Sequence, residues 1–331
     1  MSITPNDDAL SKLTHIADLI RENNSFIIMG HQDPDGDAVG SVLALYHILT
    51  QMNKEVTILA DTPYPQQFQF LTHADKTITK LPDHAHFDIT FLCDCGEITR
   101  APKNFPTPKQ RGTLVVIDHH ATSACEGDFN FNDPDAPAVG FLIYQLAKVL
   151  QEKISLDTAK ALYCSIVSDT GNFRYQKTTP ATMNIAAELI ELGVQPWELT
   201  SHLFESNPIE RQRLLSLALN TIELHHHGKL AYMTILQEMY DKTGGHAELT
   251  DGFINFARGI RGVEIAILFR EETSKWKLSI RSKGVFDASK LAISFGGGGH
   301  HNAAGAVING NLKEIQELVS QAVKKQLDAL K

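Results

Sequence analysis

Long basic runs are missing from this chain of 331 residues, and its 30 Lys and Arg are outnumbered by 39 Asp and Glu, for a net charge of −9. A protein that tracks long DNA or RNA neutralises many phosphates with such runs, so that class is excluded and any nucleotide ligand is expected to be short. Long apolar runs are missing too. Nothing approaches the ~18 residues of a membrane span, and the first residues carry no basic segment followed by an apolar one, so the expectation is a soluble, cytoplasmic protein with no membrane partner. Cysteine is scarce: Cys93, Cys95, Cys125 and Cys164 are too few and too irregular for a disulfide framework, and Cys-x-Cys lacks the paired spacing of a zinc site. Reduced thiols packed in a core are expected.

What is present is enough apolar residue, 43 %, to build more than one core, and the length exceeds the ~250 to 300 residues at which single cores stop growing, so two domains are expected. The chain is organised around Gly30-His31-Gln32-Asp33-Pro34-Asp35-Gly36-Asp37-Ala38-Val39-Gly40-Ser41. Ser25 to Met29 ahead of it reads as a strand and Val42 to Leu49 behind it as a helix. That places the loop at the carboxyl end of a strand, the edge where open α/β sheets bind ligands. Pro34 and Gly36 force turns that bend alternate carboxylates towards one point. A calcium loop fails on count, since its Gly at position six would be Ala38 and its Glu at twelve would be Ala44. A plain turn rarely needs a His and three Asp together.

The pattern then repeats. Leu10, Leu13, Ala17 and Ile20 mark a leading helix over residues 9 to 22. Val56 to Ala60 reads as a second strand, Phe87 to Cys93 as a third ending in Asp94-Cys95-Gly96, and Thr113 to Ile117 as a fourth ending in Asp118-His119-His120. In a parallel sheet three of these ends would share one edge, so three clusters of metal-type ligands converge. Helices are expected over 136–150, 157–167 and 184–192. The second, capped by Ser155 or Asp157, is stopped by Gly171 just after Ser168-Asp169-Thr170 and makes Asp169 a fourth candidate. Asn207-Pro208-Ile209-Glu210 opens a further helix running to about Leu224.

Beyond His225-His226-His227, read as a solvated turn because consecutive residues converge poorly on one ion, the texture shifts to strands over 229–236, 263–270 and 275–281. Gly296-Gly297-Gly298-Gly299-His300 follows, before a strand over 306–308 and an amphipathic final helix on Leu312, Ile315, Val319, Val323 and Leu327. A glycine tetrad between a helix and a strand suits close backbone approach to a ligand. Its bare N–H groups could cradle a phosphate, with His300 as an extra donor.

With these pieces placed, the chain resembles the DHH phosphoesterase superfamily. The matches are Gly30-His31-x-x-Pro34-Asp35-Gly36-Asp37-Ala38-x-Gly40-Ser41, Asp94-Cys95-Gly96, Asp118-His119-His120 and Ser168-Asp169-Thr170-Gly171; the run Gly296 to His300 is similar to the DHH-associated C-terminal domain. The resemblance implies an α/β protein in three parts: a parallel-sheet catalytic domain over 1–200, a linker helix over 201–224 and a smaller α/β substrate-binding domain over 225–331, with the active site in the cleft between the domains. It implies two divalent metal ions, most often Mn²⁺. His31 and Asp35 would bind one, Asp37 and His119 the other, Asp94 would bridge them and Asp169 would complete the set. His120 would face the scissile phosphate as charge stabiliser or proton donor, with Asp118 orienting the histidines. Arg281, Ser282, Gly297, Gly298, Gly299 and His300 would contact the nucleotide or its terminal phosphate. The implied substrate is a dinucleotide or very short RNA, as in nano-RNases, with 3′-phosphoadenosine 5′-phosphate or cyclic-dinucleotide products as further substrates; a homodimer is left open. Alternatives are a manganese-type inorganic pyrophosphatase and a non-catalytic nucleotide sensor. Two stretches depart from the family. Ala138-Val139-Gly140-Phe141 stands where many relatives carry small hydroxyl residues and a Glu, and Ala121-Thr122-Ser123 follows the second His where Pro or Asn is common.

Overall fold

The computed structural model describes residues 5–121, 123–273 and 275–330, without the side chain of His300. It divides into two compact units, Met1–Ser206 and Asn207–Lys331. In the first, the order is α1 (Asp7–Glu22), β1 (Ser25–Met29), α2 (Gly36–Gln51), β2 (Glu55–Ile58), β3 (Ile89–Cys93), β4 (Thr113–Asp118), β5 (Phe129–Asn132), α3 (Val139–Leu150), α4 (Leu156–Asp169), α5 (Pro180–Glu191) and α6 (Pro196–Phe204). The five strands pair in the order β2-β1-β3-β4-β5, and every pairing is parallel.

Alternation along β1 explains the layers. Phe26 and Ile28 face a core shared with α1 to α5, while Ile27 and Met29 face a smaller core with Leu81, Phe87, Leu92, Leu114 and Val116. Both faces are therefore covered, as a parallel sheet requires. One cover is helical and the other is made by the long connections around β3. The thiols lie where the sequence puts them, all four buried and free; burial raises Cys95 to about 12 and Cys125 to about 11, which keeps them protonated.

The helix expected over 42–49 begins earlier, at Gly36. Asp35 caps it, its Oδ1 accepting from the N–H groups of Asp37 (2.9 Å) and Ala38 (3.1 Å). The second half of the ligand-rich loop is thus the first turn of α2. Strand β5 was not expected: Phe-Asn-Phe-Asn is short and half polar, and it is a strand because it completes the sheet beside β4.

The second unit runs α7 (Ile209–Leu219), β6 (Glu223–His225), β7 (Leu230–Ile235), α8 (Gln237–Thr243), α9 (Ile254–Gly259), β8 (Ile265–Glu272), β9 (Lys275–Ser282), α10 (Ala288–Ile293), β10 (Gly298–His300), β11 (Ala303–Asn309) and α11 (Leu312–Ala329). Its sheet order is β10-β11-β9-β8-β7-β6; β7 and β8 are parallel and the other pairings antiparallel. Leu291 of α10 and Ile315, Val319 and Val323 of α11 cover one face; α7, α8 and α9 cover the other. The span 201–224 is not one helix. It holds the end of α6, α7 and the start of β6, and Leu214 and Ala218 bury α7 on the second unit's own sheet. Pro208 stands at the N-cap position of α7 with no side-chain hydrogen bond to the helix. The three histidines end β6 and form the turn to β7. His226 and His227 have positive φ of 49° and 56°, and His226 Nε2 bonds Ser320 of α11.

Candidate metal centre

Because β1, β3 and β4 are parallel neighbours, their carboxyl ends deliver Gly30-His31, Asp94 and Asp118-His119-His120 to one edge of the sheet. Two helix ends meet them there: the first turn of α2 brings Asp35 and Asp37, and the last residue of α4 is Asp169. His31, Asp35, Asp37, Asp94, His119 and Asp169 are all brought together. Three groups have ligand atoms mutually within 4.8 Å: His31, Asp35 and Asp94; Asp37, His119 and Asp169; and Asp94, His119 and His120. Asp94 joins the groups. Its Oδ2 lies 3.6 Å from His31 Nε2, and its Oδ1 lies 3.6 Å from His119 Nε2.

Main-chain acceptors fix the two imidazoles. His119 Nδ1 donates to the Ala136 carbonyl at 3.1 Å and His31 Nδ1 to the Gln32 carbonyl at 2.6 Å. In the tautomer protonated at Nδ1 alone, each ring turns a bare Nε2 inward. His119 Nε2 sits 3.5 Å from Asp37 Oδ2 and 3.4 Å from Asp169 Oδ2, and His31 Nε2 is 4.0 Å from Asp35 Oδ1. Lone pairs thus face lone pairs, an arrangement that cations or protons must relieve. Asp94 Oδ1 is buried with no hydrogen-bond donor. Burial, then the charges of Asp37, Asp35 and Asp169, push the Asp94 carboxyl well above the usual range. Burial, then Asp37 and Asp35, do the same to Asp169, against the opposing Lys177 ammonium. The donor set therefore fits divalent cations.

Asp118 behaves oppositely. Burial raises it, but the hydrogen bond and charge of His120, with bonds from Ser123 and the His119 N–H, outweigh burial and hold it at about 2. Its Oδ1 accepts from His120 Nδ1 at 2.6 Å and from His119 N at 2.8 Å. An ionised Asp118 thus fixes the orientation of the His120 ring.

Sequence reasoning missed the groups that hold Asp37, which is fully buried. Ser41 of α2 and Ser165 of α4 donate to its Oδ1 at 2.9 and 2.6 Å; the N–H groups of Val139 and Gly140, opening α3, reach Oδ2 and Oδ1 at 2.8 and 3.3 Å. The stretch 138–141 therefore serves Asp37 through its backbone. Ser41, one helical turn after Asp37, was readable from spacing; Ser165 needed the packing of α4. Two cations also escaped notice: Arg100 lies 3.2 Å from His31 Nδ1, and Lys177 lies 3.5 Å from His119 Nδ1.

In the second unit the latter half of the glycine run, Gly298 and Gly299, opens the short edge strand β10, and Gly296 and Gly297 lead into it from α10. A Cβ on Gly297 would meet the Gly305 carbonyl at 2.1 Å, and one on Gly299, where φ is +140°, would meet Ala304 Cα at 2.5 Å. Gly298 has nothing within 4 Å of such a Cβ. Ser282 is buried and its hydroxyl donates to the His301 carbonyl at 3.2 Å, holding the turn after the run. Arg281 is half-buried on β9, in register with Ala303, which also pairs with His300. The side chain of His300 lies outside the described residues.

An α/β sheet whose carboxyl edge gathers His and Asp from four segments is the architecture of a metal-dependent phosphoesterase. The model for the DHH family, N-terminal domain, matches residues 25–166, and that for the DHHA1 domain matches residues 227–325; the chain belongs to the DHH family. It is 31 % identical over 321 residues to the bifunctional oligoribonuclease and PAP phosphatase NrnA of Thermus thermophilus, covering 96 % of this chain and 94 % of that one. The protein of the same name from Bacillus subtilis is 30 % identical over 290 residues, covering 86 % and 90 %. Among solved structures, an exopolyphosphatase-related protein from Bacteroides fragilis superposes with a TM-score of 0.89 at 24 % identity, covering 95 % of this chain and 96 % of that one. RecJ of Thermus thermophilus in complex with Mn²⁺ reaches 0.53 at 13 %, covering 99 % and 55 %; both share the fold.

Proposed function

We propose that this protein is a cytoplasmic two-metal phosphodiesterase that hydrolyses dinucleotides and very short oligoribonucleotides to mononucleotides. The observation that carries the reading is Asp94, a buried carboxylate that presents one oxygen to each of two His/Asp groups. In this reading His31, Asp35 and Asp94 would hold one Mn²⁺ and Asp37, His119 and Asp169 the other, with Asp94 placed to serve both. The ions, when bound, supply Lewis acidity and charge neutralisation at the scissile phosphate. The chain's own residues do the rest. Ionised Asp118 accepts a hydrogen bond from His120 Nδ1–H, and in the imidazolium form the Nε2–H would give its proton to the leaving oxygen or stabilise its charge. Arg281 and the backbone around Gly298 are assigned to the terminal phosphate, while Ser282 supports the turn beneath.

A net charge of −9 and the absence of a basic stripe support a short substrate. The names of the relatives support an oligoribonuclease that also removes a phosphate from 3′-phosphoadenosine 5′-phosphate, and the DHHA1 match favours this reading over a pyrophosphatase. The test is product chromatography after incubation with Mn²⁺ and a panel of pApA, pGpG, cyclic di-AMP, 3′-phosphoadenosine 5′-phosphate, a longer RNA and pyrophosphate, with Asp37→Ala as control. Fastest turnover of a dinucleotide and a dead control are expected. Turnover of pyrophosphate alone would overturn the reading, and nucleotide binding without turnover would make the protein a sensor.

A further inference from the structure

Asp37 is a fully buried candidate ligand whose two oxygens are treated differently by the protein. Its Oδ1 accepts three hydrogen bonds, from Ser165 Oγ, Ser41 Oγ and Gly140 N, at 2.6, 2.9 and 3.3 Å. Its Oδ2 accepts one, from Val139 N at 2.8 Å, and faces His119 Nε2 at 3.5 Å. The two hydroxyl donors fill the two lone pairs of Oδ1, with the Gly140 N–H shared between Oδ1 and Ser165 Oγ, whereas Oδ2 keeps one lone pair directed at the cluster. The asymmetry depends on Ser165. That residue is fully buried on α4, gives its proton to Asp37 and accepts from Gly140 N at 2.9 Å. It sits in a slot cut by two glycines: a Cβ on Gly140 would lie 2.1 Å from its Oγ, and one on Gly40 2.8 Å from its N. Helices α2, α3 and α4 are thus brought close enough for one hydroxyl to bond elements of all three.

We propose that Ser165 is a positioning residue that selects Oδ2 of Asp37 as a single-oxygen metal ligand and keeps the carboxylate turned towards its ion; this rests on the two-metal reading. Without the Ser165 hydroxyl, Oδ1 loses its shortest donor, the carboxylate is held only by Ser41, Val139 and Gly140, and ordering it on the ion costs affinity. Outer hydrogen bonds of this kind are worth ~10- to 100-fold in metal affinity.

The test is titration of metal-free protein with Mn²⁺, following the electron paramagnetic resonance signal of free Mn²⁺, for wild type, Ser165→Ala and Ser41→Ala. Circular dichroism of each metal-free protein checks the fold. The expectation for Ser165→Ala is native circular dichroism, a ~10- to 100-fold weaker Mn²⁺ affinity, and an unchanged KM for pApA at saturating Mn²⁺. A folded Ser165→Ala protein that binds Mn²⁺ as wild type does would overturn the proposal. Should that variant not fold, Ser41→Ala tests the same oxygen with the same two outcomes. If wild type itself binds no Mn²⁺, it is the two-metal reading that fails.

Discussion

Replacing Gly40 by Ala adds one methyl group at the point where α2 crosses α4. The new Cβ would lie 2.4 Å from the Ala161 carbonyl oxygen, 2.8 Å from Ser165 N and 2.9 Å from Ser165 Cβ. Two of these atoms are backbone and the third is a Cβ, so no rotamer change can relieve the overlap. Restoring an ordinary contact of about 3.4 Å requires the two helices to part by about 1 Å, and overpacking on that scale costs ~1 to 3 kcal/mol. For a unit of this size that is a fall in Tm of ~2 to 12 °C. The larger effect falls on chemistry, because α2 carries Asp37 and α4 carries Asp169, and a 1 Å misplacement of reacting groups costs ~100-fold in rate. Differential scanning calorimetry and pApA hydrolysis in Mn²⁺ measure both quantities on one preparation. A Gly40→Ala protein with wild-type Tm and at least half of wild-type kcat would refute the account of the helix crossing.

Three other outcomes are expected. Asp94 and Asp169 have carboxyl groups raised in the metal-free fold by burial and by neighbouring carboxylates, so their contribution to stability is fully present below the usual carboxylate range and is lost as pH rises through the raised values; thermal melts of chelated protein should show Tm falling on that side, and Mn²⁺ should abolish the slope. A flat chelated profile would contradict it. Removing the imidazole in His120→Ala should lower kcat by ~100- to 10,000-fold while a folded, Mn²⁺-binding protein remains, and equal losses in metal affinity would instead make His120 a ligand. Arg281→Ala should raise KM for pApA with little change in kcat, and the reverse pattern would remove Arg281 from substrate binding.

The apolar runs that became β1, β3 and β4, and the Asp and His residues just beyond them, were legible because a strand buried on both faces must be continuously hydrophobic and its end must be abrupt. Strand β5, with two Asn in four residues, was not legible, since only its neighbour makes it a strand. The start of α2 was misplaced for a related reason. Asp-Pro-Asp-Gly-Asp reads as a turn by composition, yet Asp35 supplies the cap that lets Gly36 and Asp37 join the helix. The fixed orientation of Asp37 was beyond the sequence, because Ser165 is 128 residues away from it and acts only through the gap that Gly40 and Gly140 open. The burial of Ser282 beneath the turn at His301 was likewise not legible from Arg281-Ser282 alone.

The four consecutive glycines before His300 are, in the folded chain, two interleaved sets with different dependences. Gly297 and Gly299 abut β11, so any larger residue there pushes the edge strand off the sheet before a ligand is ever offered; Gly296, with φ at +73°, resists side chains for reasons of backbone alone. Gly298 is exempt from both constraints. A substitution survey of this run scored by activity alone would therefore mix losses of structure at Gly296, Gly297 and Gly299 with whatever Gly298 reports. Only the Gly298→Ala variant reports on what the run touches, and its neighbours record how the hairpin holds together.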